Sequence, residues 1–236
     1  MVQDETFQKL VSNLEKKLDY VFLNRELLIQ ALTHPVTNPS RNFEPLEFLG
    51  DSVLNCCVAF LVFNKVQTSD EGILTRYKGY LVSKGFLERI VQDIGLFELV
   101  SWANRDYDKI TQKTLCDVFE AIIGACFLDS SFETVYQLIK KFYTQRFPSY
   151  AEILEANPKS VLQEWCQQKG IGLPVYEVVS QEGPVHNTTF IVNLRLPTGE
   201  EFEGKGPSKS VAEKNAAFEA IKFLDLNLYK PSTSSS

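Results

Sequence analysis

Histidine is scarce in this chain: His34 and His186 are the only two among 236 residues. Two imidazoles are too few for a histidine-based zinc site, and the five cysteines show no C-x-x-C spacing to make up the deficit. Those cysteines (Cys56, Cys57, Cys116, Cys126, Cys166) are odd in number and scattered, so reduced core residues are expected rather than a disulfide frame. No Ser-His or Cys-His arrangement for nucleophilic catalysis is visible. Long apolar runs are missing too. The longest, Cys56 to Phe63, has eight residues, well short of the about 20 that span a bilayer. The opening Met-Val-Gln-Asp-Glu-Thr has neither the basic nor the apolar region of a signal peptide. A soluble, cytoplasmic protein without membrane contact is expected. Basic charge is also in short supply, since the net charge is −6. Residues 157–228 carry seven basic against nine acidic residues, so any nucleic-acid face must be a local cluster rather than a global field.

What the chain does have is helical spacing. Up to about Phe147, apolar residues recur every three or four positions and alternating β-branched runs are rare. Helices are expected at Asn24–Leu32, Pro45–Lys65, Gly72–Val82, Ser83–Gly95, Thr111–Leu128 and Phe132–Phe147. The texture changes at Phe147-Pro148 and at Ala156-Asn157-Pro158. The expected organisation is therefore a helical domain at 1–148, a linker at 149–156, a small α+β domain at 157–226 and a disordered Ser-rich tail at 227–236. In the small domain, Lys159–Lys169 reads as a helix and Tyr176–Gln181 as a strand. Thr188–Leu196 alternates Phe190, Val192, Leu194 and Leu196 with polar residues, Ile191 excepted, as a half-buried strand does. Glu200–Gly204 returns after a Pro-Thr-Gly turn. Ser208–Leu224 closes as a helix whose Ala212, Ala216 and Ala220 suit close packing on a sheet.

Two pairs of acids lie inside apolar helical stretches: Glu47 and Asp51 in one, Asp117 and Glu120 in the other. At 100° per residue, Glu44, Glu47 and Asp51 fall within about 60° on one side of their helix, with Phe48 and Asn55 beside them. Leu46, Leu49, Val53, Cys57, Phe60 and Phe63 form the opposite, core line. On the second helix Asp117, Glu120 and Gly124 share a face. None of the four acids is expected to have a Lys or Arg partner nearby. If the two helices pack together, four carboxylates converge, and a cation or raised pKa values must follow. A hard divalent ion suits an all-oxygen donor set. Spacing alone leaves the alternative open that each line is simply a solvated face.

Phe43-Glu44-Pro45-Leu46-Glu47-Phe48-Leu49-Gly50-Asp51-Ser52 resembles the signature of the ribonuclease III family, usually Asn-Glu-Arg-Leu-Glu-Phe-Leu-Gly-Asp-Ser. Ala31-Leu32-Thr33-His34 resembles an element just upstream. Asp117-Val118-Phe119-Glu120-Ala121, then Gly124-Ala125 and Leu128-Asp129, resembles the family's second acidic motif. The resemblance implies an all-helical, dimerising endonuclease domain acting on double-stranded RNA, including ribosomal precursors and structured messengers. It implies Glu47, Asp117 and Glu120 as ligands of Mg²⁺ (or Mn²⁺), with Asp51 positioning or activating the attacking water, and products with 5′-phosphate and 3′-hydroxyl ends. No small-molecule cofactor is implied. Glu44 and Glu71 match outer acidic positions facing the cleaved strand, with plain surface charge as the alternative. The Phe matching Phe48 docks into the second protomer, so Phe48 is expected at a homodimer contact. Phe43 and Pro45 depart from the usual Asn and Arg.

Residues 157–226 resemble a double-stranded-RNA-binding domain of α-β-β-β-α order. The matching elements are Pro158-Lys159-Ser160 with Leu162-Gln163-Glu164, Gly183-Pro184-Val185-His186, Gly204-Lys205-Gly206 with Ser208-Lys209, and Ala216-Ala217. Such a domain reads shape, 2′-hydroxyls and phosphates over ~16 base pairs. The resemblance implies Gln163 and Glu164 at one minor groove, His186 at the next, and Lys205, Lys209 and Lys214 on the phosphates between. Ser210 stands where a second Lys is common, so weak, salt-sensitive binding is expected.

Overall fold

A computed structural model describes residues 4–105, 109–184 and 188–226. Its two compact units meet in sequence between Phe147 and Pro148. The first is helical: α1 (Glu5–Leu18), α2 (Arg25–Leu32), α3 (Glu44–Lys65), α4 (Glu71–Leu81), α5 (Lys84–Ile94), α6 (Leu96–Ala103), α7 (Gln112–Asp129) and α8 (Phe132–Thr144). Local chemistry sets many of the ends. The side chains of Asp4, Asn24, Asp70 and Ser131 accept from the first free backbone N–H groups of α1, α2, α4 and α8. Gly95, at φ +64°, stops α5 and launches α6, a left-handed conformation that side chains resist.

The core is built on α3 packed against α7. α7 is buried almost throughout, including Val118, Phe119, Ile122 and Ile123. The two helices cross at Gly50 and Gly124. A Cβ on Gly50 would lie 1.8 Å from the carbonyl oxygen of Glu120, and one on Gly124 would lie 2.2 Å from that of Leu46. Only residues without side chains let the backbones approach so closely.

The core line expected on α3 needs correction. Phe60 and Phe63 are 47% and 71% exposed, while Leu54, Val58, Leu61 and Val62 are buried. The buried face is broader and turned, because α3 meets α8 as well as α7; Phe60 lies at the edge against Tyr136, with ring centroids 5.0 Å apart. Counting unbroken apolar runs also undersold this helix. Glu44–Lys65 is long enough to span a membrane and contains an 18-residue stretch of mean hydropathy 1.7, apolar enough to do so. Its buried face in the helical core accounts for that composition.

The segment leading into α3 is pinned by Asn104. The Asn104 amide donates to the Leu32 and Val100 carbonyls, each at 2.8 Å, and its oxygen accepts from His34 N–H at 2.7 Å. Phe43 N–H donates to the Thr33 carbonyl at 2.9 Å. Phe43 is buried edge-on to the His34 ring, so it fills core where the family pattern has a polar residue. Phe43 offers α3 no side-chain cap, but the Asn42 side-chain oxygen just before it accepts from Glu44 N–H at 3.0 Å. Pro45 sits in the first turn of α3, where its missing N–H costs nothing.

The second unit comprises α9 (Tyr150–Ala156), α10 (Pro158–Lys169), β1 (Val175–Glu182), β2 (Thr189–Arg195), β3 (Glu201–Gly206) and α11 (Lys209–Phe223). The segment expected as a linker is thus mostly helix. Ser149 and Glu152 form a reciprocal capping box, and Tyr150, Ile153 and Leu154 are buried. The strands pair antiparallel in the order β1-β2-β3. Ile191, the exception to the alternation, is buried along with Val192 and Leu194 in the central strand. α11 lies on β2 and β3 with α10 beside it. Its alanine stripe is fully buried, and a Cβ on Gly204 would lie 2.2 Å from the Ala212 carbonyl oxygen. The tail expected at 227–236 lies outside the described residues.

Candidate active site and RNA-binding module

The helix crossing brings the two acidic motifs together. Glu47 is one turn before Gly50 on α3, and Asp117 and Glu120 precede Gly124 on α7. Glu47, Asp117 and Glu120 each offer a carboxylate oxygen, all within 4.8 Å of one another. They line a cavity of about 720 Å³ shared with Glu44, Asp51 and Phe48. Asp51 stands at the exposed side, with Asn55 donating to its carboxylate at 2.9 Å. Glu71 is exposed in the first turn of α4 and is not among the residues lining this cavity.

The electrostatics are those of a crowded acid cluster. Burial, then the charges of Asp51, Glu47 and Asp117, push the Glu120 carboxyl up to about 7. Burial and the Asp117 charge push Glu47 upward as well. The expectation that no basic residue stands near these acids is wrong. Lys113, one turn before Asp117 on α7, places Nζ 2.5 Å from Asp117 Oδ2. The i,i+4 spacing was legible in the sequence. Lys84, at the start of α5, is a second cavity-lining cation that sequence reasoning missed, and nothing near it in the chain hinted at the role. Cys116 also lines the cavity, but burial and then the charges of Glu88, Glu120 and Asp117 push its thiol up to about 11.

The donor set fits a hard divalent cation. All three clustered groups are carboxylates with oxygens within 4.8 Å of one another, the all-oxygen donor set that a hard ion such as Mg²⁺ would prefer. Phe48 is 79% exposed despite its size.

In the second unit Gln163, Glu164, Lys205, Lys209 and Lys214 are all exposed. Lys205 pairs with Glu203 at 3.2 Å. Lys209 opens α11, where the backbone N–H groups add positive potential. His186 lies outside the described residues.

A helical unit with an acid cluster in a cavity, followed along the chain by a three-stranded α+β unit with lysines near a helix N-terminus, is the arrangement that the resemblance to ribonuclease III implies. Comparison with known proteins makes this specific. Residues 24–147 match the ribonuclease-III-like family model, and residues 158–224 match the double-stranded RNA binding motif. Ribonuclease 3 of Rickettsia bellii (strain OSU 85-389) is 35% identical over 231 residues, covering 94% of this chain and 99% of that protein. Ribonuclease 3 of Phenylobacterium zucineum (strain HLK1) is 37% identical over 214 residues, covering 88% and 90%. A solved nuclease domain of ribonuclease III from Campylobacter jejuni, described for flexibility in a region involved in its dimer formation, is 34% identical with a TM-score of 0.53, covering 58% of this chain and 99% of that one. The chain belongs to the ribonuclease III family: an endoribonuclease domain followed by a double-stranded-RNA-binding domain.

Proposed function

We propose that this protein is a homodimeric endonuclease that hydrolyses phosphodiesters in double-stranded RNA with a divalent metal, Mg²⁺ or in its place Mn²⁺. The observation that carries the reading is the meeting of Glu47, Asp117 and Glu120 in one cavity of a ribonuclease III-family chain. These three carboxylates would hold the ion, which supplies a hard positive charge that acidifies water and offsets negative charge on the phosphate. Asp51, open to solvent and oriented by Asn55, accepts the proton of the attacking water. Attack at phosphorus with departure of the 3′-oxygen leaves 5′-phosphate and 3′-hydroxyl ends. Glu44 lines the approach to the cluster. Glu71, which does not line this cavity in one chain, is assigned to the strand entering from the partner's side.

Phe48 supports the dimer. A large aromatic 79% exposed beside an acidic cavity costs solvation that docking into a second copy would recover. The second unit holds the duplex by its shape, with Gln163, Glu164 and His186 at minor grooves and Lys205, Lys209 and Lys214 on phosphates. Precursor ribosomal RNA and hairpins in messengers are the substrates of this form, and we take the protein to act in the cytoplasm.

The test is a digest of end-labelled duplex and single-stranded RNA with Mg²⁺ or with EDTA. Cleavage of the duplex alone, and only with metal, is expected. Duplex binding without cleavage would mark a non-catalytic RNA-binding protein, and hydrolysis of free nucleotides instead would mark a phosphohydrolase. Binding should also be strongly salt-dependent. Lys209→Ala and Lys214→Ala should each reduce the slope of log K against log salt by about one. Lys205→Ala should reduce it less, since Glu203 already neutralises part of its charge.

A further inference from the structure

Lys113 is the described cation in direct contact with the acid cluster, and the catalytic reading above gives it no task. Its ammonium is 2.5 Å from Asp117 Oδ2, and its side chain is 63% exposed at the cavity wall. The charges of Asp117, Glu47 and Glu120 all act on it. Asp117, the carboxylate it contacts, is one of the three whose oxygens lie within 4.8 Å of one another. An ammonium is a compact point charge on a flexible four-carbon stem, able to neutralise the cluster and able to swing away.

We propose that Lys113 is a built-in counter-ion that holds Asp117 in the metal-free protein and must release it for a divalent ion to bind, so that it sets the metal concentration at which the site fills. The inference rests on reading the cluster as a metal site. The physical ground is competition for a shared donor. Asp117 is almost fully buried, so its oxygens are reached from the cavity side, where Lys113 already sits. A lysine and a divalent ion bound to one carboxylate group would repel each other at close range. A released Lys113 has solvent to move into, because most of its side chain is already there.

The experiment is calorimetric titration of the full-length chain with MgCl₂, comparing the wild type, Lys113→Gln and Lys113→Arg. Glutamine keeps a polar side chain at an exposed position and removes the charge. Its Kd for Mg²⁺ is expected to fall about tenfold, the order of one close unit charge removed from a partly solvated site. Arginine keeps the charge and should bind Mg²⁺ within about threefold of the wild type, against that tenfold gain. Equal or weaker Mg²⁺ binding by Lys113→Gln overturns the inference, since the lysine would then be a bystander or a support for Asp117. If none of the three proteins takes up Mg²⁺, the metal-site reading itself fails, and the inference with it.

Discussion

Glu120→Gln is expected to abolish metal-dependent duplex cleavage while making the metal-free protein more stable at neutral pH. The two effects have one cause. Glu120 is pressed among Asp51, Glu47 and Asp117 with burial as the largest influence, and its carboxyl is pushed up to about 7 from an ordinary 4.5. Below about pH 4.5 the group is protonated in both the folded and unfolded states and costs nothing. Between about 4.5 and 7 the folded state holds the proton that the unfolded state has lost, so folding stability falls as pH rises through this window. Above it, the charged carboxylate is carried in full. Glu47, pushed upward as well, adds to the same slope. Melting temperatures in EDTA from pH 4.5 to 8 should therefore decline for the wild type and decline less steeply for Glu120→Gln, which keeps the Glu47 contribution. The loss of cleavage should reach about 10³-fold or more, because a neutral amide surrenders several kcal/mol of metal-dependent charge stabilisation. A wild-type melting temperature insensitive to pH, or a variant that still cuts duplex RNA at a near-normal rate, would refute the assignment.

Gly50→Ala should cost both stability and metal binding. The added methyl would sit 1.8 Å from the Glu120 carbonyl oxygen, and the clash is with backbone, which cannot swing aside. α3 and α7 must separate. The cost is about 3 kcal/mol or more, by analogy with overpacked cores, which for a unit of this size lowers the melting temperature by roughly 6–12 °C. The carboxylates on the two helices move apart with their backbones, so Mg²⁺ affinity should fall together with stability. Gly124→Ala should behave alike, since its methyl meets the Leu46 carbonyl oxygen at 2.2 Å. Gly79→Ala is the control: nothing lies within 4 Å of the new methyl, and the change should be neutral or stabilise by up to about 1 kcal/mol. Differential scanning calorimetry of the three variants separates the cases. A Gly50→Ala protein as stable as Gly79→Ala would mean that the crossing is looser than described.

Much of the chain was legible from local pattern. The helices around the two acidic motifs, the three strands and the closing helix follow from spacing, proline positions and turn residues, each a property of a few neighbouring positions. The capping box at Ser149 and Glu152 was equally local and marks a helix where a linker was expected. Lys113 was legible too, four residues before Asp117, although its engagement depends on where a flexible stem comes to rest.

Periodicity gives a helix its faces but says nothing about what covers them. Phe60 and Phe63 therefore looked like core on α3 and emerged exposed, while Val58 and Val62 were buried. A glycine in a helical run reads the same whether it marks weakness or a crossing. Only the pairing of α3 with α7 reveals that Gly50 and Gly124 let two backbones touch. The residues by themselves determined that acids line one side of each of two helices. That three of those acids share a space small enough for one ion was decided by the packing, because distances between segments far apart in the chain are set by which surfaces exclude water together.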